Sequence, residues 1–174
     1  MKSEFEFIND LKSRFSLDKI GDDCAVLPKN ETTDLLITAD LLIEDIDFRL
    51  EWTRPEFLGH KALAVSLSDI AAMGGTPKWA LMSIGVPKDL WETDFLDRFY
   101  DGWHKLAGNH AVELVGGDVS RSPDKLVIDC VVGGEVRRDG PYSGQGQGRA
   151  TASLLPAMLV GPPPGLPCLR RARN

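Results

Sequence analysis

Residues 60–81 read HKALAVSLSDIAAMGGTPKWAL. From Ala62 to Met73 the stretch is Ala, Val, Leu, Ile and Met with a few small polar residues, and it reads as a helix. Gly74-Gly75 and then Pro77 stop it. One acid, Asp69, sits inside this otherwise apolar helix. Ala62, Ser66 and Asp69 share a face by i, i+3, i+4 spacing. That face is small and polar, so a metal ion or a phosphate could approach it closely. The plainer reading is an exposed stripe of an amphipathic helix, but such stripes usually carry Lys, Glu or Arg. Trp79 to Val86 follows as an apolar run of strand length.

The same alternation continues on both sides. Thr53-Arg54-Pro55-Glu56 has the capping-box pattern with proline in the first turn, so the helix is expected to begin there. Upstream, Leu35 to Ile43 is a strand-length apolar run broken by Thr38 and Asp40, and Ala25-Val26-Leu27 is a short strand after a turn. Downstream, Asp89-Leu90-Trp91-Glu92 opens a second helix. Its Trp91, Phe95, Phe99, Trp103 and Leu106 recur at helical spacing, and Gly108 closes it. Val112 to Val115 and Leu126 to Val132 are the last strands. The order β-β-α-β-α-β-β predicts an α/β (α+β) fold, a mixed sheet with two main helices on one face.

Four aspartates interrupt or follow apolar elements beside Gly, Ala or Ser. Gly21-Asp22-Asp23-Cys24-Ala25 holds adjacent acids in one turn, where they repel unless a cation compensates. A solvated turn with Asp as cap explains it as well. Ile37-Thr38-Ala39-Asp40 places an acid in an apolar strand, either facing water at an edge or meeting a partner. Asp69 is the third. In Leu114-Val115-Gly116-Gly117-Asp118 a strand runs into two glycines that let backbone N–H groups approach an oxyanion, though a simple turn has the same form. Together they resemble a site for a hard cation. Mg2+ prefers carboxylate oxygens and usually shares them with substrate phosphates. His60, His104 and His110 are scattered, and there is neither a GxxxxGK[ST] nor a GxGxxG motif.

The chain has 174 residues, 43% apolar and 26% charged, with a net charge of -6; that is ordinary for a soluble domain and shows no basic footprint for nucleic acid. Cys24, Cys130 and Cys168 are too widely spaced for a zinc site or a disulfide framework, which points to a reducing, cytoplasmic setting. Acids stand at the N-terminus where a signal peptide would be apolar, and no stretch reads as a membrane helix. Composition changes near residue 140. The last acid is Asp139, the last lysine Lys125, and six prolines follow. Residues 1–140 are expected to be the folded domain, and 141–174 a Pro/Gly/Arg-rich tail. That tail is either a linker or, the favoured reading, out-of-frame translation, with a C-terminal domain absent.

The segments GDDCAVL (21–27), ITADLLIEDIDF (37–48), HKALAVSLSDIAAMGGTPKWAL (60–81) and ELVGGDVSRS (113–122), in this order, resemble the thiamine-monophosphate kinases of the aminoimidazole ribonucleotide synthetase-like superfamily. The resemblance implies a domain that binds ATP and Mg2+, strands that pair across a homodimer, and phosphorylation of thiamine monophosphate to thiamine diphosphate. It implies metal contacts from Asp23, Thr38, Ala39, Asp40, Asp69 and Asp118, and nucleotide contacts from Gly117 and Asp118. Asp47 stands at the substrate position, where many members have His before Phe. The implied partners are small molecules and a second copy, with no nucleic acid or membrane. Two alternatives stay open: another ATP-dependent synthetase of the superfamily, and a non-catalytic chain that only dimerises or binds metal.

Overall fold

The computed structural model describes residues 2–139. The tail expected at 141–174 lies outside the described residues. The elements run α1 (Glu4–Phe15), β1 (Ala25–Pro28), β2 (Thr33–Ile43), α2 (Pro55–Ala72), β3 (Thr76–Val86), α3 (Lys88–Trp91), α4 (Phe95–His110), β4 (Glu113–Arg121) and β5 (Val127–Arg137). The strands form one mixed sheet in the order β1-β2-β5-β3-β4. Only β3 and β4 are parallel; β5, last in sequence, lies antiparallel between β2 and β3. The α/β class with a mixed sheet is as expected.

Alternation along the strands explains where the core sits. Leu36, Thr38 and Leu42 of β2, Ala80, Met82, Ile84 and Val86 of β3, and Ile128, Cys130 and Val132 of β5 are buried on one face. Leu58, Leu63, Leu67 and Ile70 of α2, with Phe99 and Trp103 of α4, complete that core. The helices cross closely because two glycines face each other. A Cβ at Gly59 would lie 1.9 Å from the Phe99 carbonyl oxygen, and one at Gly102 1.9 Å from that of Glu56. Arg98 closes the crossing by donating to both oxygens of Glu56, at 2.7 and 3.2 Å. On the sheet's other face Ala39 and Leu41 are exposed.

Five local features differ from the sequence expectations. The strand expected to end at Gly116-Gly117 runs on through Asp118 to Arg121, because these residues pair in parallel with Leu81, Met82 and Ser83 of β3. Thr53 does not cap α2. Its N-cap is Arg54, without a side-chain bond, because Glu56 is engaged by Arg98 instead of reaching back. The helix expected from Asp89 is two helices. Thr93 Oγ1 donates to the Leu90 carbonyl at 2.8 Å and accepts from the Phe95 N–H at 3.2 Å, ending one turn and starting the next helix. Gly108 does not end α4, which runs on to His110 and is closed by Ala111 in the left-handed conformation. Finally α1, absent from the expected order, is started by a complete Ser3–Glu6 capping box.

Candidate cation and nucleotide site

The site is built where α2 lies over β2. Alternation aims Thr38 and Asp40 at the helix, and α2 presents Ser66 and Asp69 to them. Thr38 Oγ1 donates to Asp69 Oδ2 at 2.7 Å. Ser66 Oγ lies 2.8 Å from Asp40 Oδ2 and 3.0 Å from the carbonyl of Cys130, the residue opposite Asp40 in the β2–β5 register. The two bonds are reciprocal: a strand hydroxyl holds the helix carboxylate and a helix hydroxyl holds the strand carboxylate. Each bond uses one oxygen, Oδ2.

Electrostatics shows what else is close. Burial pushes the Asp69 carboxyl above its ordinary value; the charges of Asp40 and Asp23 push the same way, and the Thr38 hydrogen bond opposes them. Burial raises the Cys24 thiol to about 12, with Asp69, Asp23, Asp22 and Asp40 adding to the rise. Negative charge thus gathers around the start of β1 with no cationic side chain among the groups named. In the turn the two acids differ. Asp22 Oδ1 accepts the Asp23 N–H at 3.0 Å, which leaves the Asp23 carboxylate outside the turn's own bonding. Gly21 reaches φ 108, as the turn requires.

Thr38–Asp69 and Ser66–Asp40 are therefore two bonded pairs between α2 and β2, and the charge of Asp23 is felt at Asp69. Ala39, between Thr38 and Asp40, points to the opposite, open face. Asp118 stands apart from them. It pairs with Ser83, which pairs with Asp129, which pairs with Leu41, so alternation places it on the open face. From β2 to β4 is three strand spacings, about 14 Å. Next to it, Gly117 has φ 148, and a Cβ there would lie 1.8 Å from the Met82 carbonyl oxygen. Asp47 is tied into the turn after β2. Its Oδ2 accepts the Ile43 N–H at 2.9 Å, and its carbonyl accepts from Lys61 Nζ at 2.5 Å.

Sequence reasoning placed Ser66 on the right helix face without giving it a partner. Asp129 it missed, although an acid between Ile128 and Cys130 is the same signal as Asp40; burial, then the charge of Asp40, raises its pKa. Among the described residues no three His, Cys, Asp or Glu side chains stand close enough to cage a metal ion. The donors nevertheless suit Mg2+. They are hard oxygens, and Mg2+ commonly takes one or two carboxylates and completes its shell with water and substrate phosphates.

Comparison with known proteins falls on the same residues. Residues 21–136 match the family model of AIR synthase related protein, N-terminal domain. The chain is 39% identical over 140 residues to the thiamine-monophosphate kinase of Bacillus subtilis, covering 78% of this chain and 43% of that protein. The Aquifex aeolicus thiamine-monophosphate kinase is 38% identical with the same coverage of each. A solved structure of AaThiL complexed with AMPPCP and TMP superposes with a TM-score of 0.72 at 38% identity, over 80% of this chain and 47% of that one. The chain spans less than half the length of the relatives it matches.

Proposed function

The chain belongs to the AIR synthase related protein family through its N-terminal domain, and we propose that it forms the ATP- and Mg2+-binding half of a thiamine-monophosphate kinase. The observation that carries this is the hydroxyl-braced pair Asp40 and Asp69, with Asp23 beside it, in a chain 38–39% identical to such kinases.

The reaction proposed is transfer of the ATP γ-phosphoryl group to the phosphate of thiamine monophosphate. The attacking oxygen is already anionic at neutral pH, so the chain supplies no base. Its work is to position anions and offset their charge. Mg2+, when bound, would neutralise phosphoryl charge as it develops. Asp40 and Asp69 would hold it, with Asp23 and Thr38 adjacent, each carboxylate offering the oxygen not used in the brace. Gly117, where only hydrogen fits against the Met82 carbonyl, keeps β4 close to β3 and so sets where Asp118 stands. Asp118, expected as a metal contact, stands on the opposite face about three strand spacings from β2 and is not among the residues proposed to hold the ion; Asp47 is proposed for the substrate side. The molecule works as a homodimer in the cytoplasm; the edge strands β1 and β4 suit pairing with a second copy, and the exposed Leu41 on the open face suits packing against it.

The test is a chimera in which residues 1–139 replace the corresponding part of the Bacillus subtilis kinase. Incubated with ATP, Mg2+ and thiamine monophosphate, it should form thiamine diphosphate. A folded chimera without product counts against the proposal.

A further inference from the structure

Ser66 is wholly buried, on the sheet-facing side of α2 between Ala62 and Asp69 and among Leu63, Leu67 and Ile70. A buried hydroxyl is costly unless it is hydrogen-bonded, and Ala would fill the same helix–sheet contact without that cost. Packing therefore does not call for oxygen here. Ser66 has one proton and two acceptors in reach, Asp40 Oδ2 at 2.8 Å and the Cys130 carbonyl at 3.0 Å. The charged acceptor makes the stronger bond. A carboxylate with one oxygen held this way loses rotational freedom, and its other oxygen becomes the one available to a ligand.

We propose that Ser66 is a positioning residue for a divalent cation bound with a nucleotide: its hydroxyl fixes the Asp40 carboxylate so that Oδ1 is presented to the ion. Thr38 does the same for Asp69 from the opposite element, so the two carboxylates are set relative to each other before any ion arrives. The inference rests on the cation–nucleotide reading above and adds to it a residue that itself touches neither ion nor nucleotide. Outer-shell partners of this kind typically change metal affinity 10- to 100-fold when removed.

The experiment uses the whole 174-residue chain and Mn2+–ATP as probe, read by the enhancement of water-proton relaxation when the ternary complex forms, below the melting temperature of every variant. Ser66→Ala should weaken the complex at least about tenfold. Ser68→Ala, which removes an exposed hydroxyl bonded only to the Val65 carbonyl, should leave it unchanged. A purely structural role would lower the melting temperature of Ser66→Ala and leave affinity alone; that result overturns the proposal while the cation site stands. No complex with the unaltered chain overturns the cation site, and the role of Ser66 with it. If circular dichroism shows Ser66→Ala unfolded, Ser66→Cys, similar in size and a poorer donor, takes its place with the same outcomes.

Discussion

At Asp69, function and stability oppose each other. Its folded pKa is raised, chiefly by burial and then by the charges of Asp40 and Asp23. The folded chain therefore holds this proton more tightly than the unfolded chain. The sign follows: stability from this group is greatest with the proton on and falls as pH rises from the ordinary aspartate value through the raised one, so neutral pH carries the full penalty. Asp69→Asn keeps an acceptor for Thr38 and removes the charge. Thermal denaturation at pH 7 without divalent ions should show it melting a few degrees higher than the unaltered chain, with the gap closing toward pH 4. The same variant should lose Mn2+–ATP binding. A lower melting temperature without metal would show that the acids do not repel as described. Gly117→Ala has no such compensation. The Cβ meets the Met82 carbonyl in a backbone conformation suited to glycine, and urea unfolding should show a loss of about 2–4 kcal/mol. Asp40 and Asp69 were legible in the sequence because an acid inside an apolar run is conspicuous. The pairing of hydroxyl to carboxylate was not, since it depends on which turn of α2 lies over which residue of β2.

Each element's core was readable from its apolar run, while its ends depended on contacts made elsewhere. Thr53 lost its capping role because Glu56 found Arg98, 42 positions away. Local spacing could not reveal that bond. The division between α3 and α4 was present locally in Thr93, but the aromatic period from Trp91 to Leu106 runs through it and masks it. The start of α1 was also present, as Ser3-x-x-Glu6, yet the helix has no buried residue and so lacks the packed face that a periodic pattern reports. Gly59 and Gly102, inside α2 and α4, are the contact where the two helices cross. Gly59→Ala would place a Cβ 1.9 Å from the Phe99 carbonyl and force the helices apart, so it should destabilise by more than the usual core change, about 3 kcal/mol or above, by urea denaturation. Helix propensity alone predicts the opposite, a gain near 1 kcal/mol, so the sign of the result decides which effect wins.

For the whole molecule, the unequal faces of the sheet matter most. One is covered by helices, while the other leaves Ala39 and Leu41 of β2 exposed, Leu41 at 56%. Exposed apolar sheet surface with an open edge favours association. Leu41→Glu should shift the chain toward monomer in sedimentation velocity while leaving its circular dichroism unchanged; an unchanged distribution would place the contact elsewhere. The central position of β5 has a consequence of another kind, for synthesis on the ribosome. Thr33 of β2 pairs with Arg137 of β5, so the strand that joins β2 to β3 is the last of the five to leave the exit tunnel. Until then the nascent chain carries two separate strand pairs, each with a raw edge, and Ser66 has no Cys130 carbonyl beside it. The domain cannot mature piece by piece behind the tunnel. It must wait and then close around its final strand, and during that wait its dependence on chaperones should be greatest.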